Sequence, residues 1–193
     1  MPNRGVFYKR VMGIIWVALL MGGCQTLPEA VSHYRNIELR APSPQALEVL
    51  REDLDCFYQL TLFPSLAQAF QKIDAISINQ KNCAGRQVAC AFSDRPNKIF
   101  LKPEFLKLSR WERLGTLLHE SEHHQRSSYQ HISCQSTQIK NTECDADLSG
   151  AFGQEYQFYQ QLLKNEAISK YKKNREQVLF LIHATQVRIN SLL

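Results

Sequence analysis

No segment of this chain repeats, no stretch is of low complexity, and no cluster of Lys and Arg is interleaved with aromatic residues. The first two absences exclude solenoids and biased tails. The third leaves nucleic acid without a binding surface, and Lys170-Tyr171-Lys172-Lys173-Asn174-Arg175 reads as the solvated face of a C-terminal helix. Long apolar runs are missing too. The one candidate, Val11 to Met21, is too short and too interrupted by glycine for a permanent bilayer span. Of the formal net charge of +5, Arg4, Lys9 and Arg10 ahead of that run carry three, so the rest of the chain is close to neutral. What remains is ordinary globular sequence: 44% apolar and 21% charged over 193 residues, enough for one domain with a proper core.

Leu117-Leu118-His119-Glu120-Ser121-Glu122-His123 organises the rest. Residues four apart on a helix share a face, so His119 and His123 present two imidazoles side by side, with Glu120 next to them. This is an H-E-x-x-H pattern: two zinc ligands, and a carboxylate placed to take a proton from a water in the open coordination position. Ser109-Arg110-Trp111-Glu112 has the form of a capping box, and Trp111, Leu114, Leu117 and Leu118 follow at helical spacing, so the helix starts at about Ser109. A second helix is expected to begin at Asn141 or Thr142 and to run through Leu163. On it Glu143, Asp147 and Gly150 share a face, with Glu143 as third ligand and Asp147 accepting the free N–H of a ligating imidazole.

His119-Glu120-x-x-His123 followed by Glu143-x-x-Ala146-Asp147 resembles the gluzincin metallopeptidases, in particular small envelope members. The resemblance implies a zinc-dependent hydrolase of peptide or protein substrates. Its fold would be α+β and zincin-like, with a small sheet beside the active-site helix and a second metal-ligand helix, otherwise mainly helical. Ala75–Ile78, Val88–Phe92 and Lys98–Leu101 are the strand candidates. The resemblance makes Lys98–Leu101 the edge strand to which an extended substrate would add. The competing expectation is a non-catalytic zinc module whose fourth ligand comes from the polar loop 125–141, for example His131 or Cys134. For His131 and His124 taken singly, plain solvent exposure is the expected role.

The basic start, short apolar run and Gly22-Gly23-Cys24 ending resemble a bacterial lipoprotein signal. That divides the chain into a signal peptide at 1–23, a proline-bearing tether at 24–44 and a zincin-like domain at 45–193. Cys24 would be acylated and anchor the protein to a membrane. Gln25 after it implies transfer to the outer membrane, facing the periplasm. In that oxidising compartment the other cysteines are expected to pair. Proximity favours Cys83 with Cys90 and Cys134 with Cys144, leaving Cys56 over.

Overall fold

The structure, a computed structural model, describes residues 36–60, 70–79, 83, 85, 87–92, 94–125, 131–134 and 143–192. The signal peptide, Cys24, most of the tether and most of the loop 125–141 lie outside these residues. So does most of a short helix expected at 65–73.

The chain enters with β1 (Glu38–Arg40), inside the stretch read as tether, so the fold begins before Pro44. Ser43 caps α1 (Pro44–Gln59): its hydroxyl accepts the Ala46 N–H at 3.2 Å, and Pro44 fills the first turn, where no amide is needed. Leu50, Leu54 and Phe57 recur on one side of α1 and are buried. Next come β2 (Ala75–Ile78), β3 (Ala89–Phe92) and β4 (Arg95–Leu101), which with β1 form a mixed sheet in the order β1-β2-β4-β3. The first three in that order run parallel, and β3 is antiparallel to β4. Side chains alternate across it. Ile76 pairs with Ile99 and Ile78 with Leu101 on the face that joins the core, while Arg40, Ser77 and Phe100 lie in register on the other.

A 3₁₀ turn at Pro103–Lys107 leads into α2 (Arg110–Gln125). The capping box forms reciprocally: Glu112 accepts the Ser109 N–H at 2.8 Å, and the Ser109 hydroxyl accepts the Glu112 N–H at 3.4 Å. The fully buried Asp53 of α1 takes a two-pronged contact from Arg113 (2.5 and 2.9 Å), which fixes α1 against α2.

Two short strands follow, β5 (Ile132–Ser133) and β6 (Glu143–Cys144), paired antiparallel. Then come α3 (Ala151–Lys164), a single turn α4 (Glu166–Ser169), α5 (Lys172–Gln186) and a terminal 3₁₀ turn at Asn190–Leu192. α3 packs between α2 and α5. Gly115 is required at the α2–α3 contact, since a Cβ there would overlap the hydroxyl of Tyr159. Among the described residues no helix is long and apolar enough to cross a membrane.

Two expectations need correction. The second helix does not begin at Thr142. Glu143 and Cys144 are extended against β5, and Asp147 accepts the Ser149 N–H in a local turn (2.7 Å), so the helix starts only after Gly150. Lys98–Leu101 is not an edge strand either. β4 lies inside the sheet between β2 and β3, and β3 is the edge that packs beside α2. Both expected disulfides are present, Cys83–Cys90 and Cys134–Cys144. Cys56, left over by that local pairing, is buried in α1 and is not a free thiol either.

Candidate metal centre

α2 delivers His119, Glu120 and His123 from its C-terminal half, the first two almost fully buried. His131 closes on them from the residue just before β5. One ring nitrogen from each of His119, His123 and His131 falls within 4.8 Å of the others, a group able to hold a metal ion. The ring centroids are 5.1 Å apart for His119 and either partner, and 4.7 Å for His123 and His131.

The behaviour of the nitrogens tests the fit. His131 Nδ1 lies 2.9 Å from Asp145 Oδ1, and a carboxylate only accepts, so Nδ1 carries a proton and Nε2 is the nitrogen turned towards the other two rings. That Nε2 lies 3.2 Å from Nε2 of His119. Behind His119, Glu155 Oε2 stands 3.4 Å from Nδ1, near enough to favour a proton there although no hydrogen bond is formed. When both rings are neutral the two Nε2 lone pairs face each other across a gap that a shared cation can fill; when His119 is protonated, its Nε2–H donates to His131. Two nitrogens of a tetrahedral site with metal–nitrogen bonds of roughly 2.0–2.1 Å would be about 3.3–3.4 Å apart, close to this separation.

The surroundings hold the rings in place. Asp145 has no exposed surface. Its second oxygen accepts the Gly153 N–H at 3.0 Å, one of the amides that the first turn of α3 leaves unpaired, so one carboxylate caps α3 and aims His131. Gly153 allows this approach, because a Cβ would sit 2.3 Å from the Leu148 carbonyl. Glu155 receives the Tyr159 hydroxyl at 2.8 Å. Phe152 packs its ring 4.3 Å from that of His119 and 4.8 Å from that of His131, with the Arg188 guanidinium 4.0 Å away on its ring.

Electrostatics follow from burial. Burial pushes Glu120 up to about 7, against the pull of His119 and of a backbone hydrogen bond from Ala91, with Glu155 and Glu143 adding to the rise. Burial also lowers His123 to about 3, helped by its two imidazole neighbours, so its ring is neutral and its lone pair available. For His119 burial acts downward, but Glu155, Glu120 and Asp145 outweigh it and the net shift is upward.

The sequence-derived site is therefore only partly assembled as expected. His119, Glu120 and His123 are together. Glu143 is exposed in β6 and stands outside the three-histidine group, although its charge is felt at Glu120. Asp147 is engaged in its own turn, and Asp145 is the carboxylate on a ring nitrogen. Gly150 caps α3 instead of packing two helices. His124 is pinned to the Lys98 carbonyl at 2.9 Å, and Cys134 is in a disulfide. His131, read from the sequence as an example of a fourth ligand, stands within the three-histidine group, and the neighbours that sequence reasoning did not name are Asp145, Glu155 and Phe152. One signal was within reach: pairing Cys134 with Cys144 folds the loop back, which brings His131 opposite Asp145.

No protein-family model matches this chain, and no curated protein or solved structure does so either.

Proposed function

We propose that the protein is a zincin-like, metal-dependent hydrolase of peptide bonds that works in an oxidising envelope compartment. The observation that carries the reading is the three-histidine group with Glu120 beside it. Three imidazole nitrogens suit zinc, and among the described residues the group counts three members, as a catalytic site with an open fourth position requires. The non-catalytic alternative loses both of the fourth ligands named for it, because Cys134 is in a disulfide and His131 would serve as the third.

When bound, a divalent ion such as zinc supplies Lewis acidity, polarising a carbonyl and making water a stronger nucleophile. The chain's own groups do the rest. Glu120 takes a proton from the attacking water and returns it to the leaving amine nitrogen as the C–N bond breaks. Asp145 and Glu155 hold His131 and His119 from behind, and Phe152 keeps water off that side. Substrate would lie along β3. The Lys102 N–H bonds the Val88 carbonyl at 2.8 Å, so by alternation Ala89 and Ala91 turn their amide and carbonyl groups away from β4. An extended peptide pairing with that edge through Ala89 and the Ala91 carbonyl passes next to Glu120, which takes the Ala91 N–H.

Metal removal tests this reading. Dialysis of the full-length protein against a chelator should abolish cleavage of a mixed peptide library, and about one equivalent of zinc should restore it. Cleavage that persists in the metal-free protein, or a fully zinc-loaded protein that cleaves nothing in the library, would remove the peptidase assignment. The lipid that the signal-like start implies on Cys24 is tested separately by mass spectrometry of the membrane-extracted protein, in which acylation would leave Cys24 as a modified N-terminus. A Cys24 found disulfide-bonded, or normal processing and membrane retention of Cys24→Ser, would exclude lipidation.

A further inference from the structure

We infer that the metal centre is completed by oxidation of Cys134 and Cys144, so that the third histidine is held in place only after that disulfide forms. This rests on the three-histidine group being a metal site, as proposed above.

Two of the histidines are placed by α2 alone, whose capping box, buried stripe and contact with Asp53 owe nothing to a disulfide. His131 arrives on a different piece of chain, a ladder of two residues per strand in which Ile132 faces Cys144 and Ser133 faces Glu143. A two-stranded ribbon is marginal in water at any length, and this one is far shorter than usual. Its β6 side is tied down independently. The Asp145 N–H bonds the Arg188 carbonyl at 2.8 Å, and the Asn190 N–H returns to the Asp145 carbonyl at 2.9 Å. Arg188 also reaches the Glu143 carbonyl through two nitrogens. The β5 side, which carries His131, has few non-covalent ties, Asn190 Nδ2 to the Ser133 carbonyl at 3.4 Å and His131 to Asp145, and is fastened covalently to β6 by Cys134–Cys144, three residues beyond the histidine.

Oxidation removes two electrons and two protons from the two thiols and passes them to a protein disulfide of the thiol–disulfide oxidoreductase class, which leaves as a dithiol. The link closes a separation of 10 residues. Pre-paying that closure raises the effective concentration of His131 at the site by at most on the order of a hundredfold. The Cys83–Cys90 bridge provides an internal control. It packs with Phe100 and Phe92 on the outer face of the sheet, and neither of its cysteines belongs to β5 or β6. A newly made chain in a reducing compartment would therefore lack His131 in the three-histidine group and gain it on export.

The test measures zinc affinity of the full-length protein by competition with a chromogenic chelator. Alanine replacements are used because a freed thiolate would itself bind zinc. C134A/C144A should bind zinc roughly 10–100-fold more weakly than wild type, while C83A/C90A stays within about threefold. His131→Ala is then added to each background. It should be costly in wild type and in C83A/C90A, and cost less than about tenfold in C134A/C144A, where His131 is already disengaged. Should C134A/C144A fail to fold, the same comparison is made between oxidised protein and protein reduced by a phosphine and alkylated, both in the C83A/C90A background. Unchanged zinc affinity after loss of Cys134–Cys144, or an equal cost of His131→Ala in every background, overturns the inference. A wild type that takes up no zinc refutes the metal centre itself, and the two failures are thereby told apart.

Discussion

His131→Ala should strip the protein of its metal, whereas Glu143→Ala should leave zinc content almost unchanged. Removing one of three imidazoles leaves two ligands on one helix face, a chelate too weak to retain zinc through dialysis. The affinity should fall by well over the roughly 10–100-fold typical of losing a supporting carboxylate. Asp145→Asn samples that smaller loss, since the amide still reaches Gly153 but no longer dictates which His131 nitrogen carries the proton. Glu143 is exposed in β6 and contributes its main chain, through the carbonyl that Arg188 holds. Its truncation should shift zinc affinity by no more than about threefold, the range of a surface substitution. Metal analysis and chelator competition on the three variants check this. A Glu143→Ala protein that loses zinc while His131→Ala keeps it would return the third position to Glu143.

Glu120→Gln should bind zinc like wild type and hydrolyse peptides roughly two to four orders of magnitude more slowly. The amide keeps the shape of the side chain and can still accept the Ala91 N–H, but it has no lone pair basic enough to take a proton from water. Since Glu120 lies outside the ligand group, folding and metal occupancy should be preserved. Turnover per bound zinc is the quantity to compare. Equal turnover in the variant would assign the proton transfer to another group, and loss of zinc would make Glu120 part of the ligand set.

Much of the frame was legible because its signals are local. The capping box at Ser109 and Glu112, the Leu114–Leu118 stripe and the H-E-x-x-H spacing each need one turn or two of helix, and each is found as read. The strands at Ala75, Ala89 and Lys98 showed in their alternation, and both disulfides in their short separations. β1 was hidden because it is three residues long, with two of them exposed, in a proline-bearing segment. The error at Thr142 came from the same limitation in reverse. Residues 142–150 have the composition of a capped helix, but pairing of Glu143 and Cys144 with β5 overrides that preference. His131 sits in a polar stretch with no periodicity. Its role depends on Asp145, and the position of Asp145 depends on residues far downstream.

That last dependence bears on the order in which the molecule is made. The bond from Arg188 to Glu143 spans 45 residues, and Asn190 and Ser191 add main-chain bonds to Asp145 and Ala146. A ribosome or export channel delivers α2, with His119 and His123, long before it releases Arg188 to Ser191. During synthesis and translocation the site therefore exists as a two-histidine half, and the third position is secured after every other element described has emerged. For the peptidase proposed above, a nascent chain would stay inert towards its own unfolded segments until they have been folded away.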